Sequence, residues 1–475
     1  MKKFLAMMLA VLMLLSMATV AMAEDLGTPS NQNGDGWNKG YFAPGASFDL
    51  KLAYENASSA PTETFNFKID SVSNAPEITT YTETVTNTTG TGLANDGKIS
   101  VTLPNYTAPG TYTYKIKQTI PEEDKKTKGV TYDGAERTMI VYVENNLVNG
   151  ENKGLKCQVA VKNGDNKSDT FTNAYNQGTA MITKRVDSTV AADKAKDYNF
   201  TITLADVNDV NYTGVVVDAN GEPVADVANV TIHGTSETTF TLKDGQSLKI
   251  EHLPNGASYT VTETKPSVDA SHNGTVTVKY DNVEAVYNEN GVSTNAATGE
   301  IKTDETATST IANNFAYKGD LVVKKVVTGN LGDEGKWFTF TVTGITNNTD
   351  IAKNDKVRND SFTQDGNYTF EMQHNGQITF KDLPYGTSYT VTELSDGYNS
   401  SKIVKQYFVG DTEDSNAKEE DGKMDHAKEV VTFTNKNEQE IPTGVSLDTL
   451  PYVLVLALAG AGLVLMIARK RRVQD

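Results

Sequence analysis

Three polar residues in the C-terminal part of the chain fall where strand patterning predicts a hydrophobic core. Side chains alternate between the two faces of a β-strand, so Lys325 shares a face with Leu321 and Val323. By the same alternation, Glu393 and Asn435 lie on the faces of their strands that carry apolar neighbours. Unpaired buried charges are costly, and we therefore expect the lysine and the glutamate to contact each other.

The same three residue types occur at matching positions earlier in the chain, as Lys184, Glu263 and Asn313. One interpretation is a structural lysine–glutamate ion pair beside an asparagine that caps a turn. The other is an intramolecular amide bond between the lysine and the asparagine. The repetition favours the amide bond, because the chain has a single cysteine and cannot form a disulfide within itself.

The chemistry of such a bond follows from burial. Desolvation lowers the pKa of a lysine and raises the pKa of a glutamate, so the pair can exist as a neutral amine and a neutral acid. The amine attacks the asparagine carboxamide, while the protonated glutamate donates a hydrogen bond to the amide oxygen and relays protons. Ammonia leaves. Because this is one self-modification without turnover of a substrate, we expect no enzyme activity and no cofactor.

The strands that must position these residues appear as alternating runs bounded by Asn, Asp and Gly turns, which predict an all-β fold. An internal repeat groups them, because the segment 253–263 recurs as 383–393 with the shared pattern LP-x-G-x-SYTVTE. We predict three tandem immunoglobulin-like β-sandwiches: a first module (24–177), a middle module (178–317) and a last module (318–438).

Both ends of the chain carry targeting patterns. Residues 1–23 contain two lysines, an apolar stretch and an Ala-x-Ala site, which predict a secretory signal peptide; an uncleaved anchor is the alternative. Residues 439–475 contain a Pro-Thr-Gly motif, an uncharged run from Leu450 to Ala468 and a basic tail that starts at Arg469. The run is long enough for a transmembrane helix, and the basic tail predicts that its end lies in the cytoplasm.

The remaining features exclude several functions. The net charge of −18 disfavours binding to nucleic acid. The sequence has no Gly-rich phosphate loop, HExxH, CxxC or G-x-S-x-G motif, and its five histidines are scattered, so we expect no metal site. The acidic stretch that starts at Asp411 is open to two interpretations, a calcium site and a solvated loop, and the lack of EF-hand spacing favours the loop. Cys157 lies in an alternating run and is expected in the core.

At these residues the chain resembles a known family. The middle and last modules resemble Cna B-type immunoglobulin-like domains, in which a lysine, a glutamate and an asparagine form isopeptide bonds. The first module is similar to the N-terminal domain of streptococcal T-antigen-type backbone pilins, and residues 441–444 (IPTG) are similar to a sortase sorting signal. The resemblance implies a secreted pilus shaft subunit, attached to the cell wall or pilus of a Gram-positive bacterium after a transient membrane stage.

The resemblance also assigns residues to the bonds. It implies one crosslink in each of the last two modules, assisted by one catalytic glutamate: Lys184–Asn313 with Glu263, and Lys325–Asn435 with Glu393. Lys324 is an alternative nucleophile, but alternation places it on the opposite face of its strand.

In the first module, Lys51 and Asn173 match the bond-forming pair of the family. Gln118 stands where the family has glutamate, and a glutamine cannot relay protons. Three outcomes stay open: the bond does not form, it forms slowly, or another acid such as Glu122 or Glu123 takes the role.

The sorting signal implies that a sortase cleaves between Thr443 and Gly444 and transfers the Thr443 acyl group to an amine. That amine is a lysine of the next subunit or a peptidoglycan cross-bridge. Lys162 and Lys167 are candidate acceptors, and the alternative for both is an ordinary loop lysine. The implied partners are sortase, other pilin subunits, peptidoglycan and host surface ligands. The alternative functions are an unpolymerised wall-anchored adhesin or minor pilin and, in a different class, a membrane-anchored enzyme or receptor.

Overall fold

The computed structural model describes residues 41–345, 350–394, 397–416, 422–440 and 450–471. Their secondary structure is almost entirely β-strand, which confirms the predicted all-β fold. The predicted signal peptide and residues 441–444 of the sorting signal lie outside the described residues.

The chain forms two compact units. The first unit comprises Met1–Ser267 and Val276–Asn314, and the second comprises Val268–Thr275 and Phe315–Asp475. The division into three modules at residues 177 and 317 stays a prediction.

The first module is built from two sheets with short 3₁₀ turns at Ala94–Gly97 and Glu123–Lys125. Its strands are β1 (Ser47–Glu55), β2 (Glu63–Val72), β3 (Thr84–Thr88), β4 (Gly92–Leu93), β5 (Lys98–Thr102), β6 (Gly110–Thr119), β7 (Val130–Thr131), β8 (Arg137–Val148), β9 (Glu151–Asn163), β10 (Asn166–Lys167) and β11 (Thr170–Tyr175). One sheet has the order β5-β1-β11-β7, and the other has the order β10-β9-β8-β6-β2-β3-β4. Cys157 is buried in this core, as predicted.

The rest of the first unit also contains two sheets. Its elements are β12 (Gln177–Asp187), helix α1 (Ala191–Ala195), β13 (Tyr198–Ala205), β14 (Asn211–Val217), β15 (Val230–His233), β16 (Thr238–Leu242), β17 (Ser247–Pro254), β18 (Ser258–Glu263), β19 (Asn273–Tyr280), β20 (Val283–Glu284), β21 (Ala297–Glu300) and β22 (Thr306–Thr328). One sheet includes the order β15-β14-β17-β12-β22, and the other has the order β16-β13-β18-β21.

The second unit repeats this two-sheet design, and the boundary between the units falls within β22. Its further strands are β23 (Phe338–Thr343), β24 (Ile351–Lys353), β25 (Val357–Phe362), β26 (Tyr368–Met372), β27 (Gln377–Pro384), β28 (Thr390–Glu393), β29 (Asn399–Tyr407) and β30 (Lys428–Lys436). In one sheet β22 pairs with β27 and β30, and the other sheet has the order β25-β26-β23-β28.

One strand pairing occurs three times and determines where the sites form. The first strand of each module runs parallel to its last strand, as β1 with β11, β12 with β22, and β22 with β30. Parallel neighbours cannot be joined by a hairpin, so the chain between them builds the rest of the module. A covalent bond across this pair therefore closes the whole module into a loop.

The apolar run near the C-terminus forms helix α2 (Leu450–Arg471). In the part of the chain that the structure describes, no helix is both long enough and apolar enough to cross a membrane. The predicted transmembrane segment is not confirmed.

Candidate isopeptide sites

In the middle module, the strands bring Lys184 and Asn313 to one face of a sheet. β12 and β22 pair in parallel with Val186 opposite Asn313, so the asparagine lies two residues further along than the lysine. Residues two positions apart on a strand share a face, and both side chains therefore point into the core. Glu263 lies on the other sheet, on β18, opposite Phe200 of β13.

The three side chains meet at one carboxyl group. Lys184 and Asn313 are completely buried, and Glu263 is 1% exposed. The Nζ of Lys184 donates to both oxygens of Glu263, at 3.1 Å to Oε1 and 2.9 Å to Oε2. The Nδ2 of Asn313 donates to Oε1 of the same carboxyl group at 2.6 Å. The structure thus brings together the amine, the amide and the acid that the sequence singles out.

The surroundings favour the neutral forms of this pair. The Nζ of Lys184 lies 4.4 Å from the centre of the Tyr198 ring. Burial lowers the pKa of Lys184 to about 8, although the charge of Glu263 opposes this shift. Burial also raises the pKa of Glu263, against the opposing effects of Lys184 and Asn313. Both shifts favour the neutral amine and the protonated acid that attack on an amide requires.

The last module repeats this geometry. β22 and β30 pair in parallel with Val327 opposite Asn435, and Glu393 lies opposite Phe340 of β23. The Nζ of Lys325 donates to the two oxygens of Glu393 at 2.9 and 3.0 Å. The Nδ2 of Asn435 donates to Oε1 of Glu393 at 2.5 Å. The side chains of Lys325 and Glu393 are 0% and 4% exposed, so this site too is closed to solvent.

Lys325, and not the adjacent Lys324, is the amine of this site. The Nζ of Lys325 lies 4.3 Å from the centre of the Phe338 ring, and burial lowers its pKa while Glu393 opposes the shift. Lys324 is partly exposed on the opposite face of β22. Strand alternation predicted this orientation.

One polar atom of each site has no hydrogen-bond partner among the described residues. It is the buried Oδ1 of Asn313 in one module and of Asn435 in the other. This oxygen becomes the oxyanion when an amine attacks the amide carbon. The amide can turn so that its oxygen faces the carboxyl group, and in the middle module a protonated Glu263 then donates to it. Each site can therefore supply the nucleophile, the electrophile and the acid that form an isopeptide bond.

The first module has the same strand pairing but different residues at two of the three positions. Asn173 of β11 is buried and lies opposite Tyr54 of β1. The residue two positions before Tyr54 is Leu52, so a leucine occupies the place of the lysine. Gln118 lies opposite Phe67 of β2 and occupies the place of the glutamate.

The structure does not bring the predicted nucleophile Lys51 to Asn173. Lys51 lies exposed on the outer face of β1, because the apolar residues on either side of it, including Leu52, take the inner face. The Nδ2 of Asn173 instead donates to Oε1 of Gln118 at 3.1 Å, and its Oδ1 accepts from the backbone N–H of Asp133 at 2.7 Å. The amide of Gln118 thus replaces the acid of the other modules and Leu52 replaces the amine, and the expected Lys51–Asn173 pairing is corrected.

The alternative acids of the first module also lie away from its core. Glu122 and Glu123 are exposed, and Glu123 forms an ion pair with Lys126 at 2.6 Å. This placement does not favour either glutamate as a proton relay for Asn173.

A buried ion pair beside Asn173 is a feature that the sequence analysis missed. Arg137 is 2% exposed, and its guanidinium donates to the carboxylate of Asp133 at 2.5 Å and to the carbonyl of Thr170 at 2.7 Å. The guanidinium carbon lies 4.5 Å from the centre of the Phe171 ring. The alternation of β8 carries the signal, because Arg137 shares a face with the buried Met139.

The two candidate acceptor lysines lie opposite each other in one hairpin. Lys162 on β9 is paired with Lys167 on β10, and Lys167 is the more exposed of the two. Thr443 and Gly444 lie outside the described residues. The acceptor and the cleavage site therefore stay predictions.

Comparison with family models gives matches in three segments of the chain. Residues 49–176 match the model FctA, a Spy0128-like isopeptide containing domain. Residues 178–315 and 319–437 each match the model DUF7601, a domain of unknown function.

Relatives with described roles come from Streptococcus pyogenes. The chain is 30% identical over 168 residues to a pilin of serotype M1, an alignment that covers 32% of this chain and 48% of the relative. It is 41% identical over 95 residues to the pilus tip adhesin Cpa, which covers 20% of this chain and 12% of the adhesin. The crystal structure of the major pilin from the same species aligns with 22% identity and a TM-score of 0.35, over 57% of this chain and 99% of that one.

The fold and the sites define a β-sandwich protein with buried lysine–glutamate–asparagine sets. The chain belongs to the family of the DUF7601 domain, whose model matches two segments of it, and its N-terminal part matches the Spy0128-like isopeptide containing domain. It spans about half the length of the pilin that it matches and a smaller share of the tip adhesin.

Proposed function

We propose that the chain is a pilus shaft subunit, or major pilin, that a sortase polymerises and that two intramolecular isopeptide bonds stabilise. The observation that carries this proposal is the buried set of amine, acid and amide, present with nearly equal geometry in both the middle and the last module. A shaft subunit has to resist unfolding, and a secreted chain with one cysteine needs a crosslink other than a disulfide.

The bond-forming step needs no other reactant. In the middle module, the neutral Nζ of Lys184 attacks Cγ of Asn313, and protonated Glu263 donates to the developing oxyanion. Glu263 then carries a proton from the new amide nitrogen to Nδ2 of Asn313, the bond from Cγ to Nδ2 breaks, and ammonia leaves. Lys325, Glu393 and Asn435 take the same roles in the last module. Fixed proximity in the folded core replaces an external catalyst.

Polymerisation would use the sorting signal and the hairpin of the first module. A sortase would break the peptide bond between Thr443 and Gly444 and transfer the Thr443 acyl group to the Nζ of Lys167 or Lys162 of the next subunit. Because Lys167 is the more exposed of the pair, we assign it as the first candidate. The last subunit of the polymer would be transferred to peptidoglycan, and the membrane stage of the precursor would end with this cleavage.

An immunoblot of cell-wall extracts tests the polymer. A ladder of bands that withstands SDS is expected, and replacement of the correct acceptor (Lys167→Ala or Lys162→Ala) should collapse it to the monomer. One band at monomer mass, in a strain that assembles pili from other subunits, would contradict the shaft assignment.

A non-polymerised surface adhesin or minor pilin is the second candidate. The similarity to the tip adhesin Cpa favours it, because that identity of 41% exceeds the 30% with the pilin, although it covers fewer residues. A tip or solitary protein would carry Thr443 linked to a shaft subunit or to the wall, but its own lysines would receive no acyl group. Mass spectrometry of tryptic peptides around Lys162 and Lys167 separates the two roles.

A further inference from the structure

A group of acidic residues and one histidine lies at one end of the last module, away from its isopeptide site. Glu429 stands near the start of β30, six residues before Asn435, which at the rise of a strand is about 20 Å. Asp425 and His426 precede β30, and Asp414 follows β29. Donor atoms of Asp425, His426 and Glu429 lie within 4.8 Å of one another.

Both ring nitrogens of the histidine face carboxylates. The Nε2 of His426 lies 3.0 Å from Oδ2 of Asp414, and its Nδ1 lies 2.5 Å from Oδ1 of Asp425. A metal-ligating histidine usually donates its second ring N–H to a carboxylate, which fixes the tautomer. Asp414 can take that role, which leaves Nδ1 to face Asp425 and Glu429.

The carboxylates are held in place by other residues. Glu429 is completely buried, and its Oε2 accepts from the hydroxyl of Tyr389 at 2.5 Å. The Nε2 of Gln406 donates to Oδ1 of Asp425 at 2.8 Å. Among the described ion pairs, none joins Asp425, Glu429 or Asp414 to a lysine or an arginine, so His426 supplies the local positive charge.

An unsatisfied tyrosine adds an independent observation. Tyr385 is 8% exposed, and its hydroxyl has no hydrogen-bond partner among the described residues. It lies next to the cluster along the backbone, because the N–H of Gly386 donates to the carbonyl of Met424, the residue before Asp425, at 2.8 Å. A buried polar atom without a partner calls for an additional ligand such as an ion or an ion-bound water.

We propose that Asp425, His426 and Glu429 of the last module bind one divalent cation of the zinc class, with Asp414 and Tyr389 as outer supports. An imidazole nitrogen with two carboxylate oxygens suits Zn²⁺ better than Ca²⁺, which prefers a shell of oxygen atoms. Binding requires Nδ1 of His426 to be unprotonated, so the proton held between His426 and Asp425 is released to solvent. A water near Tyr385 can complete the coordination.

The proposed cation would connect segments that the isopeptide bond does not reach. It would link the start of β30 to the loop after β29, while the bond from Lys325 holds the other end of the same strand.

The middle module differs from the last module at this place. At the position of Glu429, which is opposite Leu321 on the first strand, the middle module has Ala307 opposite Ala180. The proposed cation site therefore lacks its buried carboxyl group at the matching position of the middle module.

Calorimetric titration of the purified, chelator-treated protein with ZnCl₂ tests the proposal. One zinc ion per chain is expected, with release of a proton that shows as a dependence of the heat on the buffer. His426→Gln and Glu429→Gln should abolish this binding, and Asp414→Asn should weaken it about 10–100-fold, as loss of an outer support does. His233→Gln is the matched control, because His233 is exposed and its side chain bonds to Asn211, away from the cluster.

Zinc should also raise the melting temperature of the unsubstituted protein but not that of Asp414→Asn at the same ion concentration. The Asp414→Asn variant leaves the proposed ligands unchanged. It therefore still tests zinc binding if His426→Gln does not fold. The proposal is overturned if the unsubstituted protein binds no zinc, or if His426→Gln and Asp414→Asn bind it as tightly as the control. If the protein binds Ca²⁺ tightly and does not bind Zn²⁺, the assignment to the zinc class is overturned.

Discussion

At the scale of single residues, the chemistry depends on the cost of burying a charged side chain in the core. Lys184 and Lys325 are buried against aromatic rings, and each has one carboxyl group as its partner. A buried ion pair loses hydration on both sides, and transfer of one proton from the amine to the acid removes both charges. The same burial that makes the lysine a poor cation makes it a good nucleophile.

Replacement of the acid should stop the reaction in one module only. Glu263→Gln copies the residue that the first module has at this position, and glutamine cannot relay protons. We expect the mass of the purified variant to exceed that of the unsubstituted protein by one ammonia, after allowance for the substitution itself. Glu251→Gln is the control, because Glu251 pairs with Lys249 at the surface. An unchanged ammonia loss in Glu263→Gln would remove Glu263 from the mechanism.

The unreacted lysine should make stability depend on pH. Asn313→Ala removes the electrophile, so Lys184 stays a titratable amine with a pKa of about 8, against 10.5 in the unfolded chain. Between these values the unfolded chain binds more protons, and the free energy of unfolding rises with pH, by at most ~3 kcal/mol. Chemical denaturation from pH 7 to 11 measures this rise.

A second substitution serves as the control for that titration. Asn313→Ala combined with Lys184→Met has no amine at the site, and the rise between pH 8 and 10.5 should be absent. Equal pH dependence in both variants would show that other groups titrate and that Lys184 keeps an ordinary pKa.

At the scale of strands, the parallel pairing of first and last strand explains both the two sites and the missing third. Strand alternation alone predicted that Lys325 points inward and Lys324 outward, and that Lys184, Glu263 and Asn313 meet. Alternation within β1 also carried the signal that Lys51 faces outward, since its neighbours Leu50 and Leu52 take the inner face. It could not reveal that Leu52 lies two residues before the partner of Asn173, because the register between β1 and β11 depends on pairing across the whole module. A one-residue difference moves a side chain to the other face, and this is the difference between Lys51 and Leu52.

The Arg137–Asp133 pair illustrates a second limit of sequence analysis. A charged residue on a strand is expected at the surface unless a partner is known, and the partner lies four residues away in a non-repetitive turn. The sequence also does not predict that Asp425 and His426 lie close to Glu429. That contact depends on the conformation of residues that precede β30 and have no regular secondary structure.

Restoring two residues should install a crosslink in the first module. Leu52→Lys with Gln118→Glu recreates the amine and the acid on the strands that hold Asn173. The mass of this double variant should fall by one additional ammonia. Lys51→Ala, by contrast, should leave the ammonia loss unchanged because Lys51 faces solvent. A loss of one ammonia fewer in Lys51→Ala would mean that the exposed lysine does react.

At the scale of the whole molecule, each bond closes a large loop and restricts the unfolded chain. The bonds would link residue 184 to 313 and residue 325 to 435, so nearly all of each module lies between its linked ends. In the chain-entropy model, a closed loop of about 100 residues adds ~4.7 kcal/mol to stability. If the chain is polymerised as proposed, a tensile force would pass through the linked first and last strands without unfolding the module between them.

Loss of the last-module bond should therefore be costly. Asn435→Ala should lower the free energy of unfolding of its unit by about 4–5 kcal/mol, besides the cost of the cavity. Denaturation followed by tryptophan fluorescence measures this loss, since Trp337 lies in that module. Asn437→Ala is the matched control at the end of the same strand, where Asn437 makes an exposed hydrogen bond to Leu331. Equal stability of the two variants would contradict a crosslink at Asn435.

The intact mass of the purified mature chain tests the central claim most directly. Each isopeptide bond removes one ammonia and nothing else, so the measurement counts the bonds without perturbing the protein. We expect a mass two ammonias below that calculated from the sequence, with the linked peptides containing Lys184 with Asn313 and Lys325 with Asn435. A mass that shows no loss of ammonia would contradict the proposed chemistry, and a loss of three would contradict the assignment of the first module as unlinked.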